Sequence, residues 1–445
     1  MELKDMIELV NENKITIFKN ELSDYNAPDV AALMEELSEE KQLLVFRVLP
    51  KDLSAEVFAY LSPETQESIV RAISDKEVKQ VMEELYLDDA VDFLDEMPAN
   101  VVKKVLKNVN PDTREQITEF LKYPKNSAGS LMTVEFIELH DRLTAEEALQ
   151  TIRLEGENME TVNTVYTIDN THHLTGTVRL FDLIKHDGST RLQDIRDERV
   201  VSVTTGEDQE NVAKDFQKYD LSEMPVVDGE NRLVGLITID DVVDVIEAEA
   251  TEDMEKMAAI TPNDKPYLDT SPFALYRQRI LWLMILMVSA TITGRIITGF
   301  EQVLSSCVAL TAFIPMLMDT GGNCGAQSSV MVIRGLALDE IGLKDTPKVL
   351  FKELRVALMI GITLGAINFV RILVFENVGV VVAGVVSLSL CVTVLCAKLV
   401  GGTLPILAKT VHLDPAVMAS PIITTLVDMV SLSVFFTFAK MILKI

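Results

Sequence analysis

Cysteine is absent from residues 1–272; the four cysteines, Cys307, Cys324, Cys391 and Cys396, fall in the apolar remainder and follow no metal-ligand spacing. Basic residues are scarce in the same region. Of 40 Lys and Arg and 68 Asp and Glu, 13 and 9 lie in residues 273–445, which leaves 27 and 59 in residues 1–272. An acidic surface of this kind argues against nucleic acid as a partner and is compatible with a polyvalent cation. The polar start, Met1-Glu2-Leu3-Lys4-Asp5, has no signal-peptide character. No Gly-Lys-Ser/Thr phosphate loop, zinc motif or nucleophile–base pair is present, so the chain is not read as an enzyme.

The first 125 residues carry a repeat. Leu37, Leu49, Leu61, Ile73, Leu85, Met97 and Val109 recur every twelve residues. Each is followed by Ser38, Pro50, Ser62, Ser74, Tyr86, Pro98 or Asn110, mostly residue types that cap or start helices. The spacing predicts a stack of short helices curling into a superhelix, a scaffold over residues 1–128. Beyond residue 130 the pattern turns to β-branched runs beside Asp187-Gly188 and Asp228-Gly229. They form two tandem α/β copies, at 129–196 and 197–240. His172-His173 reads as a solvated turn.

Residues 241–272 are expected to form an acidic connecting helix and linker. Asp241, Asp244, Glu249, Glu252 and Asp253 crowd that helix, and Lys256 alone opposes them. Like charges three and four apart weaken a helix unless something cationic lies against it. Pro262, Pro266 and Pro272 mark the passage to residues 273–445. There, five apolar stretches near 280–300, 303–333, 349–372, 378–408 and 415–440 are long enough to span a bilayer. The basic loops place the acidic half in the cytoplasm and the C-terminus outside. Gly321, Gly322 and Gly325 permit either close backbone approach or a local break in the second span, and the run Gly401-Gly402-Thr403-Leu404-Pro405 is read as an irregularity in the fourth.

Asp428 is the only charged side chain between Asp414 and Lys440. A carboxylate at membrane depth costs several kcal/mol, on the order of the translocon-scale penalty, unless water, a partner or a cation compensates it. Beside the hydroxyls of Thr424 and Thr425, it points to cation handling. Asn323 and Gln327, four apart, present amides on one helical face. Asp414 lies fourteen residues before Asp428, roughly 20 Å along a helix, so one acid belongs at the inner mouth and the other within the membrane.

The run Pro315…Gly321-Gly322-Asn323-x-Gly325-x-Gln327, Asp414-Pro415-Ala416, and Pro421-x-x-Thr424-Thr425-x-x-Asp428 resemble the MgtE family of magnesium channels and transporters. The segment Tyr123-Pro124-Lys125-Asn126-Ser127-Ala128-Gly129-Ser130-Leu131-Met132-Thr133 resembles that family's approach to its first CBS unit. The tandem α/β copies resemble a CBS-domain pair. Ser431 stands where the family often has Gly, three residues after the pore acid. The resemblance covers the chain in order and implies a multidomain fold: an all-α superhelical N domain, an α/β CBS-domain pair, and a polytopic membrane domain of five transmembrane helices. It implies a homodimer in the plasma or inner membrane, in contact with lipid, passing Mg²⁺ between two Asp428 side chains. Thr424, Thr425 and Asn323 would contact the water shell of the ion. It also implies negative feedback, with cytosolic Mg²⁺ held by Glu56, Asp88, Asp92, Glu210, Asp220, Asp241, Asp244, Glu249, Glu252, Asp253 and Asp414. In the second CBS copy, Thr238 and Asp241 match a ribose-contacting turn, which leaves ATP open as a ligand; Arg179 replaces the hydroxyl in the first. A cation-coupled secondary transporter and a nucleotide-sensing CBS membrane protein are the alternatives.

Overall fold

The structure is a computed structural model that describes residues 3–22, 25–263, 267–268, 270–376, 378–418 and 420–444; Pro266 lies outside them. Two compact units divide the chain, Met1–Ile246 and Glu247–Ile445.

The first unit opens with ten short helices: α1 Leu3–Asn11, α2 Ile15–Glu21, α3 Ala27–Glu35, α4 Glu39–Val48, α5 Lys51–Ala59, α6 Pro63–Ala72, α7 Asp75–Glu84, α8 Leu87–Glu96, α9 Ala99–Asn108 and α10 Pro111–Phe120. From α4 to α10 the residues before each helix are Ser38, Pro50, Ser62, Ser74, Tyr86, Pro98 and Asn110, the positions the twelve-residue repeat predicts. Ser74 and Glu77 close a capping box, and Ser62 and Asn110 accept from the backbone N–H three residues on; such caps contribute about 1 kcal/mol each. The repeated apolar residue turns inward. Leu37, Leu49, Leu61, Ile73, Met97 and Val109 are all buried. Helices two apart pack together (α3 on α5, α5 on α7, α7 on α9; α4 on α6, α6 on α8), which gives two layers around one core.

Two small sheets follow, with α11 Ala128–Leu131, α12 Ala145–Glu155, α13 Leu180–Lys185, α14 Leu192–Ile195 and α15 Gln209–Tyr219 around them. The strands are β1 Glu138–His140, β2 Thr164–Ile168, β3 Leu174–Arg179, β4 Val203–Thr204, β5 Glu223–Val227 and β6 Leu233–Thr238. Each sheet runs parallel and then antiparallel, β1-β2-β3 and β4-β5-β6, so the copies share one topology. Their flanks are exchanged. Thr133 pairs with Leu236 of the second sheet, while Asp197 pairs with Thr177 of the first. His172 and His173 lie on the turn between β2 and β3, His172 with a positive φ of 62°. Helix α16 spans Ile239–Met257.

The second unit contains α17 Pro272–Gly299, a short α18 Glu301–Ser306, α19 Ile314–Ala337, α20 Thr346–Phe375, α21 Val380–Thr410 and α22 Ser420–Leu443. By length and composition, the segments Pro272–Gly299, Leu343–Phe375, Val380–Thr410 and Pro415–Leu443 can cross a membrane. Helix α19 is the fifth long helix and the most polar, with Asp319, Asn323, Gln327 and Arg334. It begins later than the apolar stretch suggested: a 3₁₀ turn over Val308–Phe313 precedes it and Pro315 stands in its first turn, where a missing N–H costs nothing. Exposed Leu283, Met287 and Val288 on α17 and Met359 and Ile362 on α20 suit a lipid surface.

The glycines of α19 take the first of their two readings, and the irregularity expected at residues 401–405 is corrected. Both α19 and α21 are continuous through them, Pro405 included. The glycines serve close approach instead. A Cβ on Gly401 would collide with the carbonyl oxygen of Gly325, and one on Gly325 would lie 2.7 Å from Ile423 Cγ2. One on Gly321 would lie 2.9 Å from Ser431 Oγ. Ser431 itself is buried and donates to the Val427 carbonyl at 2.6 Å, so its hydroxyl is satisfied within its own helix. We expect Gly401→Ala to destabilise the detergent-solubilised protein by about 1–3 kcal/mol, because backbone must move to admit one methyl; an unchanged thermal midpoint would contradict this packing.

Candidate functional site

Three carboxylates converge in the first unit. Asp88, in the first turn of α8, Glu160 before β2 and Asp241, in the first turn of α16, place oxygen atoms within 4.8 Å of one another. Asp88 is buried and the other two are half-buried. Glu160 carries no sequence signal: it lies in a loop, 81 positions before Asp241. The Thr238 hydroxyl lies 2.8 Å from Glu160 Oε1 and 3.1 Å from Asp241 Oδ2, so the residue matching a ribose contact is engaged with the acids. The other oxygen of Glu160 is buried without a partner.

No lysine or arginine pairs with these three among the described residues. At about 4 Å, two unit charges repel by roughly 4 kcal/mol at the effective dielectric of a protein surface. The protonation equilibria respond accordingly. Burial and then Glu160 and Asp241 push Asp88 well above the carboxylate range. Burial and the charges of Asp240 and Glu160 push Asp241 up to about 8. Asp89 rises to about 6 through burial and Asp240. Burial, then Asp240, Asp89, Glu56 and Asp244, raise the Tyr60 phenol, which puts those four acids around one ring. A divalent cation with oxygen ligands is the chemistry that would relieve this crowding.

The other predicted ligands are not gathered there. Asp92, one turn after Asp88, is exposed. Glu210, at the start of α15, pairs with Lys214 at 2.8 Å. Asp220 caps the far end of that helix in a left-handed conformation, φ 52°, and is exposed.

In the second unit, Lys256 near the end of α16 bridges Glu252 at 2.8 Å and Asp414 at 2.7 Å. Burial alone would lower its ammonium; the hydrogen bonds to Asp414 and Glu252 outweigh it and raise the group. An internal cation thus occupies two of the acids predicted to hold metal. Met257 packs with Ile333 of α19 and Ala416, which seats this helix end beside the membrane helices. Glu249 and Asp253 are half-buried on the same segment.

Within the helical bundle, α22 packs on α19 and α21. A 3₁₀ turn, Pro415–Met418, separates Asp414 from α22, so no single helix joins Asp414 to Asp428. Asp428 is half-buried and has no hydrogen-bond or ion-pair partner among the described residues. The hydroxyls of Thr424 and Thr425 both donate to the Pro421 carbonyl, at 3.0 and 2.9 Å, which leaves their lone pairs as acceptors. Asn323 and Gln327 lie on the exposed face of α19 together with Asp319. Two charges the sequence reading passed over, Glu353 and Lys398, are paired within the bundle at 3.9 Å. The depth argument applied to Asp428 would have found both.

Comparison with known proteins gives one answer across the chain. Residues 314–438 match the model described as divalent cation transporter, residues 25–126 that of the MgtE intracellular N domain, and residues 192–248 that of the CBS domain. The magnesium transporter MgtE of Thermus thermophilus is 36% identical over 98% of this chain and 97% of its own length. That of Bacillus subtilis is 31% identical over 98% of this chain and 96% of its own. Among solved structures, the cytosolic domain of the Mg²⁺ channel MgtE in complex with ATP is 35% identical, covers 55% of this chain and all of its own, and superposes with a TM-score of 0.53. The soluble part of a magnesium transporter, 28% identical, covers 56% of this chain and all of its own with the same TM-score of 0.53.

The raised carboxylates set a pH dependence. Unfolded carboxyls titrate near 4, whereas Asp241 and Asp89 hold protons to about 8 and 6 when folded. The folded unit therefore binds more protons than the unfolded chain across that window, and its stability falls as pH rises through it. The thermal midpoint of the soluble segment in chelator should decline from pH 5 to pH 8, and millimolar Mg²⁺ should flatten the decline; a midpoint that climbs with pH in chelator would refute the cluster's electrostatics.

Proposed function

The chain belongs to the MgtE family of magnesium transporters, and from that premise we propose that it is a Mg²⁺-selective channel of the plasma or inner membrane, closed by cytosolic Mg²⁺. The family is non-enzymatic, and its members are multi-pass membrane proteins with an intracellular N domain. The observation that carries the reading is Asp428: an acid in an apolar helix, with no group to neutralise it among the described residues. Mg²⁺ sheds water reluctantly and demands octahedral oxygen. Two such acids, one from each subunit of a homodimer, would hold the ion through its water shell. Asn323, Thr424 and Thr425 supply acceptors for that shell.

Closure is the second part of the proposal. The helical N domain and CBS pair act as the sensor, the connecting helix as the link and residues 273–445 as the pore. Cytosolic Mg²⁺ binds at Asp88, Glu160 and Asp241, with Glu56, Asp92, Glu210, Asp220 and Asp244 as further ligands. Glu249, Glu252, Asp253 and Asp414 form the acidic set beside the pore mouth, where Lys256 already supplies one positive charge. An ion shifts the equilibrium only by its differential affinity for the closed arrangement. The ATP complex of the solved cytosolic domain supports nucleotide binding as a further property, with Thr238 and Asp241 as its candidates here. The loop charges support a C-terminus outside the cell. Coupled secondary transport remains the competing mechanism, with Asp428 as its proton carrier.

Asp428→Asn is expected to abolish Mg²⁺ uptake into proteoliposomes while the protein elutes as the wild type does; wild-type uptake would remove Asp428 from the ion path. Unitary currents with Mg²⁺ as the sole permeant cation identify a channel, and their absence together with pH-coupled uptake identifies a transporter. Lys256→Met should raise the Mg²⁺ concentration that half-closes the pore by about fivefold or more, since two acids lose their built-in counter-charge. An unchanged midpoint in patch recordings would show that Lys256 is not part of the gate.

A further inference from the structure

Ser328 of α19 is buried between charges from two other helices. Its hydroxyl donates to Glu353 Oε2 of α20 at 2.6 Å and accepts from Lys398 Nζ of α21 at 3.0 Å. Lys398 is only 4% exposed and Ser328 2%. Glu353 and Lys398 stand 3.9 Å apart, so the hydroxyl completes the bridge. The site is built for the acid: a Cβ on Gly402 would lie 3.1 Å from Glu353 Cγ. Counted along the helices, Ser328 lies about 14 Å and Lys398 about 18 Å from the C-terminal ends of α19 and α21. A buried ion pair at that depth contributes little net stability, and its established use is to fix one arrangement among several.

Helix α19 needs such fixing. Its buried face carries Gly321 and Gly325, against which Val427 and Ile423 of α22 fit, together with Leu317 and Cys324, so its contacts there are close and apolar. Apolar contacts of this kind set the distance between helices but carry no directionality of their own. The Ser328 bridge is directional and ties α19 to two helices at once. Asn323 and Gln327 project from the exposed side of the same helix.

The geometry points to Glu353, Ser328 and Lys398 as positioning residues for ion selection: the bridge sets the rotation of α19 and so aims Asn323 and Gln327 at the hydrated ion. The inference rests on the proposed function only in taking that exposed face as the ion-facing one. The three residues need touch no ion themselves.

The test measures the ratio of Mg²⁺ to Na⁺ flux per folded protein in proteoliposomes, a quantity that loss of folded protein alone does not move. The variants are S328A, the charge-neutral pair E353Q/K398M, and N323A/Q327A as the reference for the face. All three are expected to lower the ratio by about tenfold or more, because small misplacements of a positioned group have effects of that size. If N323A/Q327A lowers the ratio while S328A and E353Q/K398M keep the wild-type value, the bridge is only structural and the inference fails. If N323A/Q327A keeps the wild-type ratio, the ion-facing reading fails and the inference falls with it. Should the double charge variant fold poorly, S328A, which removes a single oxygen atom, decides between the first two outcomes.

Discussion

Carboxylates without protein counter-charges constrain both units. In the first, Asp88, Glu160 and Asp241 share a space where three negative charges cannot coexist without protons or a cation. In the second, Asp428 lies half-buried in an apolar helix with no ion-pair partner among the described residues. Other acids are neutralised within the protein, Glu353 by Lys398, and Asp414 and Glu252 by Lys256. The contrast is informative: where a counter-ion is supplied internally the group can hold helices together, and where it is withheld the charge must be met by a proton or an external cation.

The helices that surround Asp428 meet through glycines on which neighbouring side chains are seated, beside a shared apolar core. Gly321, Gly322 and Gly325 let α22 and α21 approach α19 closely, and Ser431 fits against Gly321 with its hydroxyl satisfied along its own helix. The same close packing leaves Asn323 and Gln327 at the surface of the bundle. Backbone proximity on one side and amide presentation on the other are thus two results of a single distribution of small and polar residues around α19.

Local chemistry was the most legible part of the chain. The twelve-residue repeat marks the start of each helix from α4 to α10, because capping residues and the inward apolar residue act within one turn of each other. The isolated acid at Asp428 was legible for the same reason, its cost being set by the segment around it. The glycines of α19 left two readings open and the run before Pro405 was misread as an irregularity, since conformational freedom and close approach leave the same mark in a sequence. Glu160 was invisible: only the fold brings a loop acid to Asp88 and Asp241. Lys256 was noticed as the lone opposing charge, yet its grip on Asp414 depends on where the end of α16 is seated.

The exchanged flanks of the two sheets bear on how the soluble half can be dissected. Thr133 lies ahead of the first sheet yet pairs with Leu236 in the second, and Asp197 lies past the first sheet yet pairs back with Thr177. A cut between the copies would strip a bridging segment from each and bare backbone donors and acceptors on both. The pair is therefore an interlaced object rather than two beads on a string, and a fragment carrying either copy by itself would be prone to misassembly.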